Sequence, residues 1–172
     1  MMLENVFNLK TFTYSETAEK LGLDNSIMTD EQMDNGIRLH ELLVHISRQL
    51  SIKYTRPVLI QINSGFRSVE LNKKIGGVLT SQHCKFQAAD TIAIRIPIEE
   101  YFQLLKKLAK DKTLTFGQVI LEYGKHPDTE TDEWIHISTP TEKFVNDFMR
   151  SPITQKDGAK IEGKREYIKE LI

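Results

Sequence analysis

Two histidines and an aspartate in the second half of the chain form a set that could bind a metal ion. His83 and Asp90 are seven residues apart in the segment SQHCKFQAAD, and His136 lies between two isoleucines in the segment DEWIHIS. Two imidazoles and one carboxylate, with a fourth position left to water, are the ligand set of a catalytic zinc site. The spacing alone equally allows a structural role, in which Asp90 caps a turn and His136 is hydrogen-bonded inside the core.

Asp90 is predicted to lie on an apolar face of a strand. Hydrophobic residues alternate over residues 89–96, and Asp90 has the same parity as Ile92 and Ile94. A carboxylate on such a face costs several kcal/mol unless a cation or hydrogen-bond donors meet it. The strand pattern therefore indicates that Asp90 has a charged or hydrogen-bonding partner.

The three residues belong to a longer string of motifs. An upstream stretch, YSETAEKLGLDN at residues 14–25, precedes them. The blocks that follow are Ser64-Gly65-Phe66-Arg67-Ser68, Leu71-Asn72, Gly76-Gly77, Ser81-Gln82-His83 through Ala88-Ala89-Asp90, and Glu133-Trp134-Ile135-His136. This string resembles the M15 family of zinc peptidases, which includes D-alanyl-D-alanine carboxypeptidases and dipeptidases and phage L-alanyl-D-glutamate endolysins. The resemblance is closest to the small-domain branch and covers roughly residues 10 to 140, with the blocks in the family's order.

The resemblance implies a role for individual residues. His83, Asp90 and His136 would hold one zinc ion per chain, and zinc would lower the pKa of its water to about 7. Glu133 would be the general base that accepts a proton from that water. Arg67 would stabilise the developing oxyanion or grip the substrate through two parallel hydrogen bonds. Three further residues are weaker candidates for substrate binding: Ser81, Gln118 and Trp134.

The assignment of Glu133 conflicts with regular strand geometry. Glu133 is three residues from His136, so a regular strand would direct the two side chains to opposite faces. Glu133 is therefore expected to precede the strand or to sit at a bulge. Asp132 has the matching parity and is the alternative base.

Phe86 stands where the family has glycine. Glycine allows a positive φ, whereas phenylalanine is strained there, so the turn between the first two ligands could differ from the family's. This departure keeps a second function open, a non-catalytic domain of the same fold that binds cell-wall peptides or has a structural role. An enzyme is the preferred reading because all three ligands are present.

The elements that must position these residues read as helices first and strands later. A short helix is predicted to start at Thr13 with Glu16, or with Ser15 as N-cap, and to run to Gly22. Further helices are predicted at 29–50 from a Thr29–Gln32 start signal, at 69–74 and after Pro97. Strands are predicted at 58–63, 89–96, 116–123 and 134–138. This order favours an α+β fold with a small, mainly antiparallel sheet, helices packed on it and the zinc site on the sheet. Residues 1–150 are assigned to a single zinc-peptidase-like domain, and residues 151–172 to a partly mobile tail with a terminal helix at 164–172.

Composition excludes several classes of protein. The chain has 172 residues, 23 Lys plus Arg against 24 Asp plus Glu, and one cysteine. The balanced charge argues against nucleic-acid binding by bulk charge, and one cysteine excludes a disulfide scaffold. No apolar run approaches the ~20 residues of a membrane span.

The N-terminus has no signal-peptide pattern, so synthesis in the cytoplasm is expected. The resemblance implies a peptidoglycan stem peptide or a similar D-residue peptide as partner, reached through release during phage or prophage lysis. The oligomeric state is not indicated.

Overall fold

The computed structural model describes residues 1–124, 132–151 and 167–172. Within these ranges it is an α+β fold, as the sequence predicts. The helices are α1 (Leu9–Thr13), α2 (Glu16–Leu21), α3 (Asp30–Tyr54), α4 (Val69–Lys74), a 3₁₀ helix (His83–Lys85) and α5 (Ile98–Lys110). The strands are β1 (Ile60–Ser64), β2 (Ala88–Ala93), β3 (Gln118–Tyr123), β4 (Glu133–Ser138), β5 (Asp147–Arg150) and β6 (Ile168–Lys169).

The strands form one sheet in the order β1-β2-β4-β3-β5-β6. All neighbouring pairs are antiparallel except β3 and β5, which are parallel. The central strands β2, β4 and β3 lie side by side, so Asp90 pairs with His136 and His136 with Ile120. The expectation of a mainly antiparallel sheet is confirmed.

Two strands near the end of the chain were not predicted. β5 pairs with β3, and β6 pairs with β5 through Met149↔Lys169 and Arg150↔Ile168. The terminal helix expected at residues 164–172 is therefore wrong for the described residues 167–172. Cross-strand hydrogen bonds from β5 replace the local ones that a helix would supply. The division between a domain at 1–150 and a tail at 151–172 stays a prediction.

The helix starts follow the local signals in the sequence. The Ser15 hydroxyl accepts from the backbone N–H of Ala18, and Gly22 ends α2 with φ +65°. Thr29 and Gln32 form a reciprocal capping box at the start of α3. These contacts are local, which is why the sequence alone predicts them.

Helix α5 covers one face of the sheet. Tyr101 on α5 is fully buried, and its hydroxyl lies 3.2 Å from the Thr91 hydroxyl of β2. Side chains alternate along a strand, so Thr91 faces α5 together with its cross-strand partner Ile135. Asp90 and His136, one residue away on each strand, face the other side of the sheet. No helix in the described part of the chain is long and apolar enough to cross a membrane.

Candidate metal centre

His83, Asp90 and His136 converge on one point of the sheet face opposite α5. His83 Nε2 lies 3.2 Å from His136 Nδ1 and 3.2 Å from Asp90 Oδ1. His136 Nδ1 lies 3.1 Å from the same Asp90 oxygen. All three residues are buried. Residues 83 and 136 are far apart in the chain. The fold thus brings together the three residues that the sequence singles out.

The three atoms have the spacing of ligands around one small cation. Bond lengths of 2.0–2.2 Å in a tetrahedral zinc site place two ligand atoms about 3.3–3.6 Å apart. The observed separations of 3.1–3.2 Å lie just below this range. Two imidazole lone pairs and a carboxylate oxygen facing one another repel unless a cation or a proton lies between them. The donor set therefore fits a zinc ion, with one coordination position left for water or substrate.

The protonation of His83 is set by a main-chain carbonyl. Its Nδ1 lies 2.7 Å from the backbone oxygen of Gly65, and a carbonyl oxygen only accepts. Nδ1 therefore carries the proton, and Nε2 keeps its lone pair for the metal. Burial, reinforced by the charge of Arg67, lowers the pKa of His83 to about 4 although Asp90 opposes this. His83 is consequently neutral at physiological pH, the form that binds metal.

Arg67 holds the other oxygen of Asp90. One guanidinium NH₂ group donates to Asp90 Oδ2 at 2.8 Å, and Arg67 Nε donates to the Ser64 hydroxyl at 2.8 Å. The arginine and the aspartate are both buried, so this pair is screened little by solvent. Arg67 thereby leaves Asp90 Oδ1 directed at the two imidazoles. The role of Arg67 toward the oxyanion or the substrate, which the family resemblance implies, stays a prediction.

A β-bulge puts Ser64 on the sheet face that carries Asp90 and His136. Ile62 of β1 pairs with Thr91, and Ser64 pairs with Asp90. An advance of two residues along β1 therefore corresponds to one residue along β2, which is the register shift of a bulge. In a regular ladder Asn63 would pair with Asp90, and Ser64 would share the face of Ile62 and Thr91. The bulge supplies the hydroxyl that orients Arg67. Sequence reasoning treated Ser64 only as part of a motif and missed this function.

The loop after β1 is held close to helix α1. A side chain at Gly65 would meet the backbone of Phe12, because a Cβ there would lie 2.5 Å from the Phe12 carbonyl oxygen. Asn25 joins the two segments by donating to the carbonyls of Thr13 and Phe66 at 2.8 and 3.0 Å. This packing fixes the Gly65 carbonyl that His83 needs.

Glu133 lies in a regular part of β4. It is the first residue of the strand and pairs with Tyr123, in the same register that pairs Ile135 with Leu121. The expectation that Glu133 precedes the strand or sits at a bulge is therefore wrong. Its side chain is exposed and shares the face of Ile135, opposite to His136. It lines a surface groove of about 570 Å³ beside Ala93 and Ile98, together with Asp132.

Glu122 is a buried carboxylate on the sheet face of His136 that sequence reasoning missed. Glu122 lies on β3 and pairs with Trp134 on β4. Ile120, two residues before Glu122 on β3, pairs with His136. Glu122 is thus a diagonal neighbour of His136, and such neighbours have side chains about 7–8 Å apart at their bases. The sequence signal that could have identified it is a glutamate inside the apolar strand QVILEY. Burial of a charged group costs free energy unless the group is paired or hydrogen-bonded.

The weaker substrate-binding candidates have three different positions. The backbone carbonyl of Ser81 accepts from Cys84, in the turn that leads into His83. Gln118 donates from its amide to Asp147 Oδ2 at 3.3 Å, which ties β3 to β5. Trp134 is buried and shares the face of His136. Their part in substrate binding stays a prediction.

Gln82 contacts His136 from the loop that precedes the 3₁₀ helix. Its side-chain oxygen lies 3.0 Å from His136 Nε2, the ring nitrogen that faces away from the other two ligands. Its amide nitrogen is buried and has no hydrogen-bond partner among the described residues. The sequence motif included Gln82 without a role.

Comparison with known proteins gives one family. The family model described as Peptidase M15 matches residues 5–138, which include all the residues of the site. A search of curated proteins gives no match.

Proposed function

Because this chain belongs to the peptidase M15 family, we propose that it is a zinc metallopeptidase that hydrolyses short peptides of bacterial peptidoglycan. The observation that carries the proposal is the convergence of His83 Nε2, His136 Nδ1 and Asp90 Oδ1 to within 3.2 Å of one another. When bound there, zinc would supply Lewis acidity, which activates a water and polarises a peptide carbonyl.

Arg67 is proposed to serve both the ligand and the substrate. Its contacts with Ser64 and Asp90 keep Asp90 in one orientation. Its positive charge lies in a buried region beside the ligands, where charge stabilises a developing oxyanion far better than in water. The proposal therefore assigns Arg67 to oxyanion stabilisation as well as to positioning Asp90.

Glu122 is proposed as the carboxylate that moves the proton. It shares the sheet face of His136 and is buried, whereas Glu133 is exposed on the opposite face. In this role Glu122 accepts a proton from the attacking water and delivers it to the leaving amine. Glu133, which the family resemblance implies, remains the competing assignment, and paired variants of the two glutamates distinguish them.

The test is hydrolysis by the zinc-loaded protein. Two probes cover the two kinds of bond that the family resemblance implies: a peptide ending in D-Ala–D-Ala, and a stem peptide beginning L-Ala–D-Glu. Mass spectrometry of the products is expected to show cleavage of one of them and no cleavage by the His136→Ala variant. Binding of a probe without cleavage would instead support the non-catalytic binding domain, and equal cleavage by the variant would overturn the proposed site.

A further inference from the structure

Gln82 reaches the metal centre from a fixed point of the backbone. It immediately precedes the 3₁₀ helix His83–Lys85, and its carbonyl accepts from the N–H groups of Lys85 and Gln87 at 3.1 and 2.9 Å. Its side chain makes no capping bond to that helix. These main-chain hydrogen bonds of residue 82 would remain after a substitution of its side chain. The side-chain oxygen contacts His136.

The contact decides which nitrogen of His136 binds a metal. A neutral imidazole carries one proton, and Gln82 Oε1, at 3.0 Å from Nε2, can only accept. With the proton on Nε2, the lone pair of Nδ1 is directed at Asp90 Oδ1 and His83 Nε2. The two histidines therefore present opposite ring nitrogens to the same point.

The equivalent contact of His83 comes from the main chain. The Gly65 carbonyl accepts from Nδ1 of His83, and no side-chain substitution removes it. His136 depends on a side chain for the same purpose. The buried amide nitrogen of Gln82 has no partner among the described residues, so this orientation serves His136 and leaves a donor for an oxygen of a bound ligand or water.

We infer that Gln82 is a positioning residue that holds His136 in the tautomer and ring orientation required for metal binding. This role rests on the proposed function only in that both need a metal at the site. It concerns the affinity for zinc and can be measured without any substrate.

The experiment compares zinc affinities by competition with a chromophoric chelator. Gln82→Leu removes the acceptor, and its affinity for zinc is expected to fall about 10–100-fold. Gln82→Glu restores an acceptor at the same length, and its affinity is expected to stay within about threefold of the wild type or to increase. Gln103→Leu is the matched control, because it removes the same amide from an exposed position on α5.

Each outcome has a defined consequence. Equal zinc affinities in Gln82→Leu and the wild type, with matching circular dichroism, would overturn the inference and leave the proposed function intact. A tenfold or greater loss in Gln82→Glu would overturn it as well, even if Gln82→Leu does not fold. A wild type that binds zinc but cleaves neither probe peptide would contradict the proposed function, while the affinities still decide the role of Gln82.

Discussion

The ring of Phe86 occupies the space that a side chain at Gly36 would need. A Cβ at Gly36 would lie 2.4 Å from Cε1 of that ring, so α3 can approach the ligand loop only with glycine there. Phe86 is fully buried, and its ring centroid is 5.5 Å from those of Phe12 and Phe66. Phe86 nevertheless has φ +56°, a left-handed conformation that a glycine adopts without strain. Burial of the ring offsets that strain, so this chain holds the left-handed turn between His83 and Asp90 with a phenylalanine.

Replacing Phe86 by the family's glycine is expected to destabilise the protein. Loss of a buried phenylalanine costs about 3–5 kcal/mol, and relief of left-handed strain returns about 1–2 kcal/mol. The free energy of unfolding, measured with urea on the zinc-free protein, should fall by about 1–4 kcal/mol in Phe86→Gly.

Gly36→Ala gives the matched control for this packing. It should be strongly destabilising with Phe86 present and clearly less so in the Phe86→Gly background, since the clashing ring is then absent. Additive effects of the two substitutions would contradict the role of ring packing.

The metal content of the purified protein tests the ligand set. We expect about one zinc per chain by elemental analysis, after purification without chelators or affinity metals. His136→Ala should hold little zinc, because a catalytic site has only three protein ligands. Failure of the wild type to retain zinc, even after zinc is added back, would contradict the assignment of the site.

The two glutamates should respond differently to conversion into glutamine. Glu122→Gln is expected to lower kcat about 10²–10⁴-fold while zinc content stays unchanged, since general base catalysis contributes this much. Glu133→Gln should leave kcat nearly unchanged, because Glu133 is exposed on the opposite face of the sheet. A large loss of kcat in Glu133→Gln with little change in Glu122→Gln would instead identify Glu133 as the general base.

Arg67→Lys is expected to be a severe substitution. A lysine ammonium cannot reproduce the planar fork that meets Ser64 and Asp90 at once. We expect zinc affinity to fall by about tenfold and kcat to fall further, because Asp90 loses its orientation and the oxyanion loses a donor. Ser64→Ala removes only the Nε partner and should have a smaller effect on both quantities. Arg67→Lys with wild-type values would show that the charge alone suffices.

The zinc-free protein should lose stability as the pH falls from about 6.5 to about 4. The pKa of His83 is about 4 in the folded state, against 6.5 for an unperturbed histidine. The unfolded chain therefore binds more protons in this window, and the free energy of unfolding decreases as the pH falls. Between pH 7 and pH 5 the loss assigned to His83 is about 2 kcal/mol, measurable by urea unfolding at the two values. In His83→Gln the same change of pH should cost less. An equal loss in the variant would show that other groups are responsible.

The sequence by itself determined the features that depend on near neighbours. The capping box of Thr29 and Gln32 and the glycine stop at Gly22 are formed by hydrogen bonds within one turn, so composition and spacing predict them. The ligand candidates also came from the sequence, since few residue types bind zinc and their motifs are short.

Only the tertiary structure decided which side chains share a face. The bulge at Asn63 moves Ser64 beside Asp90, and the regular register of β4 separates Glu133 from His136. A shift of one residue between strands exchanges the two faces of a sheet. That register depends on hydrogen bonds to strands distant in the chain, as does the pairing of β6 where a helix was expected. The sequence therefore identified the candidate metal ligands, whereas the fold placed Gln82, Ser64 and Glu122 around them.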